Sequence, residues 1–247
     1  MVTKEELINF ENWTVDTFNA GKLKSPVHLS GGNEEQVIEI FKDIKSQDWV
    51  FTTYRSHYHA LLKGVPEQRL KDWILDNKSI HFMDSEYKVF SSAIVGGCLP
   101  IALGTAMAIK RLYFPSRKTK DESQKSRLLP AEHYNVESGE EVNTPHVWIF
   151  IGDMTASLGV FRDCYNYAKY NKLPITFVIE DNGLSTDTIT KEAWGGDHVS
   201  FYEALQGDPY LRYYKYKRVY PHYGTGKFIA SIWTDIIKAD DARNKGF

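Results

Sequence analysis

Two oxygen-bearing side chains near the middle of the chain, Asp153 and Asn182, stand 29 positions apart in the segment HVWIFIGDMTASLGVFRDCYNYAKYNKLPITFVIEDNGLSTDT (146–188). Each closely follows an apolar run, HVWIFI (146–151) or ITFVIE (175–180), of the length and composition of a buried strand. A helical pattern over about 157–171 joins the two. A helix of about 15 residues travels roughly 22 Å back along a sheet, and the second strand returns over about 20 Å. With a single crossover the strands are parallel, and Asp153 and Asn182 reach the same edge of the sheet. One carboxylate and one amide carbonyl at the carboxyl edge of an open α/β sheet are hard donors. They suit Mg²⁺, which keeps its other positions for water and phosphate oxygens. The helix after Asp153 also offers N–H groups and a positive dipole end to a phosphate. The same residues have ordinary readings: a strand-end Asp caps the next helix, and Asn-Gly makes a turn. Such an Asp equally suits a phosphoacceptor receiver or a nucleotide-binding domain. No glycine-rich P-loop and no dinucleotide glycine fingerprint after a strand are found.

The elements that would position this pair can be read outward from it. Residues 4–20 read as a first helix ending at Gly21. Ser30-Gly31-Gly32-Asn33 reads as a turn before a helix over 34–44. Asp48 to Thr53 reads as a strand ending at Tyr54-Arg55, and Pro66 opens a helix through Leu75. Residues 94–113, rich in Gly, Ala and Ile, read as a buried small-residue helix. Residues 115–144 are polar and aperiodic, a surface insertion or mobile loop in an otherwise single domain spanning 1–247. A strand over 211–219 and an amphipathic helix over 227–242 follow. Alternating strands and helices predict an α/β, three-layer α-β-α fold around a mainly parallel sheet.

Composition narrows the partners. A formal net charge of −2 supplies no basic field for nucleic acid. The aromatic-basic run from Tyr213 to Arg218 suits a strand with one solvated face better than a base-stacking surface. Cys98 and Cys164, far apart and in apolar or helical contexts, read as reduced core thiols. MVTKEELINF lacks a signal-peptide profile, and no run approaches the roughly 18 apolar residues of a bilayer span. The expectation is a soluble, cytoplasmic protein with no membrane partner.

At this point the residues carry a resemblance. Gly152-Asp153-Met154 through Glu180-Asp181-Asn182 resembles the thiamine-diphosphate motif, Gly-Asp-Gly followed just under thirty residues later by Asn. PVHLSGGNEE (26–35), TTYRSHYHALLKGV (52–65) and SIHFMDSEYKVFSSAIVGGCLPIALGTAMAIK (79–110) resemble, in the same order, segments of the alpha subunits of 2-oxo acid dehydrogenase decarboxylase components. Together the matches cover about residues 25–190.

The resemblance implies a thiamine-diphosphate-binding fold, with Mg²⁺ held by Asp153, Asn182 and the backbone carbonyl of Leu184. Tyr54 and Arg55 would bind the diphosphate, an arginine fork suiting phosphate oxygens. Gly152, Met154 and Thr155 fall beside it. The backbone at Ala93 and Val95 would meet the aminopyrimidine ring, with Gly96 and Gly97 permitting the approach. His28 and His57 match histidines at the family's active-site entrance, suited to orienting a substrate carboxylate or moving protons near neutral pH. His59 and His81 read as structural. The implied activity is decarboxylation of a small 2-oxo acid with transfer of the resulting acyl or aldehyde unit. The activating glutamate would come from a beta-type partner in an α₂β₂ heterotetramer.

This sequence departs from the pattern in places. Met154 stands where the family has its second glycine, and Asp181-Asn182 where it often has two Asn. The chain is shorter than usual alpha subunits, residues 115–144 interrupt the usual connection, and the family's late loop has only YPHYGTGK (220–227), with His222, as a counterpart. NGLSTDT (182–188) looks more like the amino-terminal half of transketolases, which keeps open a transketolase-like protein moving a two-carbon ketol unit. Met154 keeps open a non-catalytic structural or regulatory homologue. His28-Leu29-Ser30 favours the dehydrogenase side over the transketolase side, and Tyr54, Arg55, Asp153 and Asn182 together argue for a cofactor site.

Overall fold

The computed structural model describes residues 2–113, 144–195 and 207–220. They form α1 (Lys4–Asn19), α2 (Glu34–Phe41), β1 (Trp49–Thr52), α3 (His57–Leu62), α4 (Glu67–Leu75), β2 (Met83–Asp84), β3 (Val89–Ser91) and α5 (Cys98–Tyr113). There follow β4 (Val147–Gly152), α6 (Asp153–Ala156), α7 (Gly159–Tyr170), β5 (Ile175–Asp181), β6 (Leu184–Ser185), β7 (Thr188–Ile189), α8 (Thr190–Trp194) and β8 (Leu211–Lys215). Nearly all of the polar stretch 115–144, the expected helix over 227–242 and His222 lie outside the described residues.

Six strands make one sheet in the order β2-β3-β1-β4-β5-β8. All pairings are parallel except that of β2 with β3. The side-chain period of two divides the central strands between two cores. Val147, Ile149 and Ile151 of β4, with Ile175, Phe177 and Ile179 of β5, pack against α5 and α7. Trp148, Phe150 and Val178 point the other way, into a core with α1, α2, α3 and α4. Burial on both faces explains why these strands read as continuous apolar runs. The three-layer α/β fold with a mainly parallel sheet is thus the architecture adopted.

Several boundaries differ from expectation. The small-residue helix starts at Cys98, because 94–97 form a turn closed by Gly97 N–H donating to the Ile94 carbonyl at 2.9 Å, with Gly96 at φ +78°. The helix after Asp153 is two: the single turn α6, then α7 from Gly159. At the amino end, α1 closes with a capping box in which Thr3 Oγ1 accepts from the Glu6 N–H and the Thr3 N–H donates to Glu6. The Gly31-Gly32 turn lets residues 217–220 pass close by. A Cβ on Gly32 would sit 2.1 Å from the Lys217 carbonyl oxygen, and φ there is +91°. Among the described residues no helix is long and apolar enough to cross a membrane.

Candidate functional site

The chain order places a reversal beside β1. From β1 the chain moves outward to β3, then returns to lay β4 against the other side of β1. Open α/β sheets form their ligand crevice at the carboxyl ends of strands flanking such a reversal. A crevice opens there: Thr53, Tyr54 and Arg55 follow β1, while Gly152, Met154 and Thr155 end β4 and start α6. Glu180, Asn182, Leu184 and Ser185 close it from β5 and beyond, and Tyr216 from just after β8.

On the β1 wall, Arg55 is 8% exposed. Its Nη1 donates to the Leu29 carbonyl at 2.6 Å, while Nη2 is buried with no partner among the described residues. The guanidinium lies 5.6 Å from the Tyr54 ring centroid, and the buried His28 ring packs 4.3 Å from the same tyrosine. Tyr54, Arg55 and His28 therefore meet, although 26 positions separate His28 from Tyr54. Ala93 and Val95 follow β3 on the outer side of β1, with Val95 exposed, and neither lines the crevice.

On the opposite wall, Gly152 pairs with Glu180 in the β4–β5 register, so the residues just after them are neighbours. Asp153 is buried between the lining residues Gly152 and Met154. Its Oδ2 accepts from the Thr190 hydroxyl, and its Oδ1 is buried without a hydrogen-bond partner among the described residues. Burial lifts its carboxyl from 3.8 to about 6; Thr190 and the Asp153 and Asn182 amides pull the other way, and Asp181 adds to the rise. Asn182 Nδ2 donates to the Tyr216 hydroxyl at 2.8 Å, and Asn182 Oδ1 accepts from the Leu184 N–H at 2.9 Å. Met154 turns its sulfur to Trp194, whose Nε1–H donates to it at 2.9 Å. Both ends of α8 thus engage the first two residues of α6. Among the described residues no three His, Cys, Asp or Glu side chains gather as a metal cage. The donors available are one carboxylate with amide and carbonyl oxygens.

His57 lies elsewhere. It is fully buried, with Nδ1 2.9 Å from Glu11 Oε2 and Nε2 3.0 Å from Ser79 Oγ. These three residue types are those of a hydrolytic triad, but all three are 0% exposed, so no substrate reaches the serine. Glu11 also accepts from the Ser30 N–H at 2.9 Å, which ties α1 to the loop that carries His28. His59 is buried as well, its Nε2 3.2 Å from Glu180, whose carboxylate also accepts from the Tyr214 hydroxyl. His81 is exposed beside Phe90.

Thr53, Glu180, Ser185, Thr190 and Tyr216 were not singled out by sequence reasoning. The aromatic-basic run held the only signal for Tyr216. Its tyrosines are half-buried while Lys215 and Lys217 are exposed, but Tyr213 packs against one core and Tyr214 against the other, so both faces of β8 are partly covered rather than one being solvated, and β8 ends at Lys215.

A family model described as "Dehydrogenase E1 component" matches residues 4–203. The chain is 30% identical over 184 residues to the pyruvate dehydrogenase E1 component subunit alpha of Porphyra purpurea, covering 70% of this chain and 47% of that protein. It is 27% identical over 201 residues to a chloroplastic pyruvate dehydrogenase E1 component subunit alpha-3 of Oryza sativa subsp. japonica, covering 73% and 43%. It is 27% identical over 190 residues to the alpha subunit of the acetoin:2,6-dichlorophenolindophenol oxidoreductase of Cupriavidus necator, covering 73% and 48%. The chain spans about half the length of the curated relatives it matches.

Proposed function

Because the chain belongs to the dehydrogenase E1 component family, we propose that it is an alpha-type subunit binding thiamine diphosphate and Mg²⁺ in the crevice between β1 and β4. One observation carries the reading. Among the described residues, two of the buried side-chain atoms lacking a partner belong to an arginine and a carboxylate, and both sit at this crevice: Arg55 Nη2 and Asp153 Oδ1. Burying a charged group with a donor or acceptor unmet is costly unless something else meets it. A diphosphate meets the guanidinium and a divalent cation meets the carboxylate, so the residues present fit both groups.

In this reading Arg55 and Tyr54 hold the diphosphate, with Gly152, Met154 and Thr155 alongside it. Among the described residues nothing lies within 4 Å of a Cβ built on Gly152, which leaves that backbone open to close approach. Asp153, Asn182 and the Leu184 carbonyl supply metal oxygens, leaving phosphate and water to complete the shell. Ala93 and Val95 present backbone to the aminopyrimidine ring. Thiamine diphosphate, when bound, supplies the chemistry that cleaves a 2-oxo acid beside its carbonyl. His28, against Tyr54, is the histidine placed to meet a substrate carboxylate or move a proton. His57, with both ring nitrogens engaged, holds the His28 loop through Glu11.

The beta-type partner belongs to the same proposal. Ile94 and Val95 are exposed beside the site, and Ile101, Gly104, Met107 and Ala108 continue an exposed, mostly apolar side along α5. Exposed apolar side chains recurring along one side of a helix suit an interaction site. A second chain covering it would also bring the glutamate that the aminopyrimidine ring requires.

Calorimetric titration of thiamine diphosphate, with and without Mg²⁺, on this chain alone and with a candidate beta-type partner, tests the proposal. Metal-dependent binding that tightens with the partner is the expected result. Assembled chains that bind no cofactor would overturn it in favour of a non-catalytic homologue.

A further inference from the structure

The two side chains assigned to the metal are each gripped by a residue far along the chain. Thr190 reaches Asp153 across 37 positions, and Tyr216 reaches Asn182 across 34. Neither contact arises from local sequence. The hairpin of β6 and β7 delivers Thr190: Leu184 pairs with Ile189, and the Thr190 N–H donates to the Gly183 carbonyl at 3.0 Å. Arg218 holds the hairpin tip, donating to the Thr186 carbonyl and, at 2.9 Å, to Asp187. Pairing of β8 with β5 delivers Tyr216, whose N–H donates to the Asp181 carbonyl at 2.9 Å.

Each grip holds a side chain whose metal-facing oxygen is thereby defined. The Leu184 N–H is only a donor, so the Asn182 amide must turn its oxygen toward it. The amide nitrogen then falls to the Tyr216 hydroxyl, and the reversed amide would set donor against donor at Leu184. Asn182 Oδ1 is therefore fixed on the side of Leu184, whose carbonyl is the other neutral oxygen assigned to the metal. Thr190 hydrogen-bonds one oxygen of Asp153, while the other makes no hydrogen bond among the described residues, although the Asp153 and Asn182 amides lie near the carboxylate.

Resting on the proposed cofactor site, we propose that Thr190 and Tyr216 are positioning residues for its metal: Thr190 makes Asp153 a one-oxygen ligand, and Tyr216 anchors the nitrogen end of the Asn182 amide whose oxygen the Leu184 N–H has turned inward. Outer hydrogen bonds of this kind orient ligands, and their loss typically lowers metal affinity about 10- to 100-fold.

The test uses the full chain, with the beta-type partner present if the wild type needs it. Mg²⁺ is titrated at fixed thiamine diphosphate by calorimetry for the wild type, Thr190→Val, Thr190→Ser and Tyr216→Phe, and thermal unfolding is recorded for each. Thr190→Val and Tyr216→Phe should each raise the half-saturating Mg²⁺ concentration about 10-fold or more. Thr190→Ser should stay near wild type, because it keeps the hydroxyl. All unfolding midpoints should stay close to the wild-type value. A wild-type Mg²⁺ requirement in Thr190→Val and Tyr216→Phe, or equal loss in Thr190→Ser and Thr190→Val, overturns the positioning role while the cofactor site stands. Absence of metal-dependent binding in the wild type itself overturns the site and this inference together.

Discussion

Two buried polar clusters in this molecule have similar ingredients and opposite bookkeeping. Around His57, every partner is internal: Glu11 meets Nδ1 and the Ser30 N–H, and Ser79 meets Nε2. Around the crevice, Arg55 and Asp153 each keep one charged-group atom buried and unmet. A network whose donors and acceptors close on themselves rigidifies a fold. One that leaves ionic valences open at the mouth of a parallel sheet is what the proposed cofactor site calls for. Triad-like residue identities at His57 and an unremarkable Asp at the end of β4 would rank the two regions the other way round. Satisfaction and access decide between them.

The comparison breaks or holds most plainly on a crossed pair of substitutions. Asp153→Ala should abolish Mg²⁺-dependent thiamine diphosphate binding and leave the chemical unfolding midpoint equal or higher, since its carboxylate is unfavourable where it stands. His57→Ala should do the reverse. It leaves the Glu11 carboxylate buried without its imidazole, and losing one partner of a buried pair costs about 3–5 kcal/mol. Urea unfolding and calorimetry on both variants give the four numbers required. If Asp153→Ala destabilises as much as His57→Ala, the crevice is structural too and the contrast fails.

What the sequence made legible follows the same division. Strands β4 and β5 read clearly because both faces are buried, and one crossover forces Asp153 and Asn182 together. Tyr54 and Arg55 were legible through the resemblance of TTYRSHYHALLKGV, and the place of β1 beside β4 came only with the sheet. The partner that turns His57 inward, Glu11, lies 46 positions earlier on α1, and nothing in TTYRSHYH tells which way that ring faces. Thr190 and Tyr216 were equally invisible. Their roles depend on a hairpin of two-residue strands, too short to show a period, and on β8 choosing β5 as its neighbour. Short β2 and β3 escaped for the same reason. The fold was written in long-period patterns, whereas the support of the site depends on contacts that only the assembled sheet creates.

A second way to sharpen the comparison is pH. Below 3.8 Asp153 is protonated in both the folded and the unfolded chain and contributes nothing. Between 3.8 and about 6 the unfolded chain loses this proton first, so the group draws stability away as pH rises. Above about 6 the penalty is complete, roughly 3 kcal/mol at ~1.36 kcal/mol per pH unit. Asp153→Asn is neutral throughout. In chelator, its unfolding free energy relative to wild type should therefore rise by roughly this amount from pH 4 to pH 7, and saturating Mg²⁺ with thiamine diphosphate should shrink the gap by stabilising the wild type. A difference that is flat with pH would mean that Asp153 is comfortable without a cation.

The smallest effect expected is at Met154, and it tests whether the departure from the family's glycine changes the site. Glycine is indispensable where φ is positive, but Met154 is not among the non-glycine residues with positive φ, so a side chain is accommodated there without backbone strain. That side chain is spent on Trp194, at the far end of α8 from Thr190. Met154→Gly should leave thiamine diphosphate affinity within about threefold, less than 1 kcal/mol. Because α8 loses its Trp194 anchor while Thr190 stays on Asp153, hydrogen exchange across 190–194 should quicken. Affinity tightening by tenfold or more, with exchange unchanged, would mean that the methionine obstructs the diphosphate rather than fastening α8, and that the crevice is partly filled by its own chain.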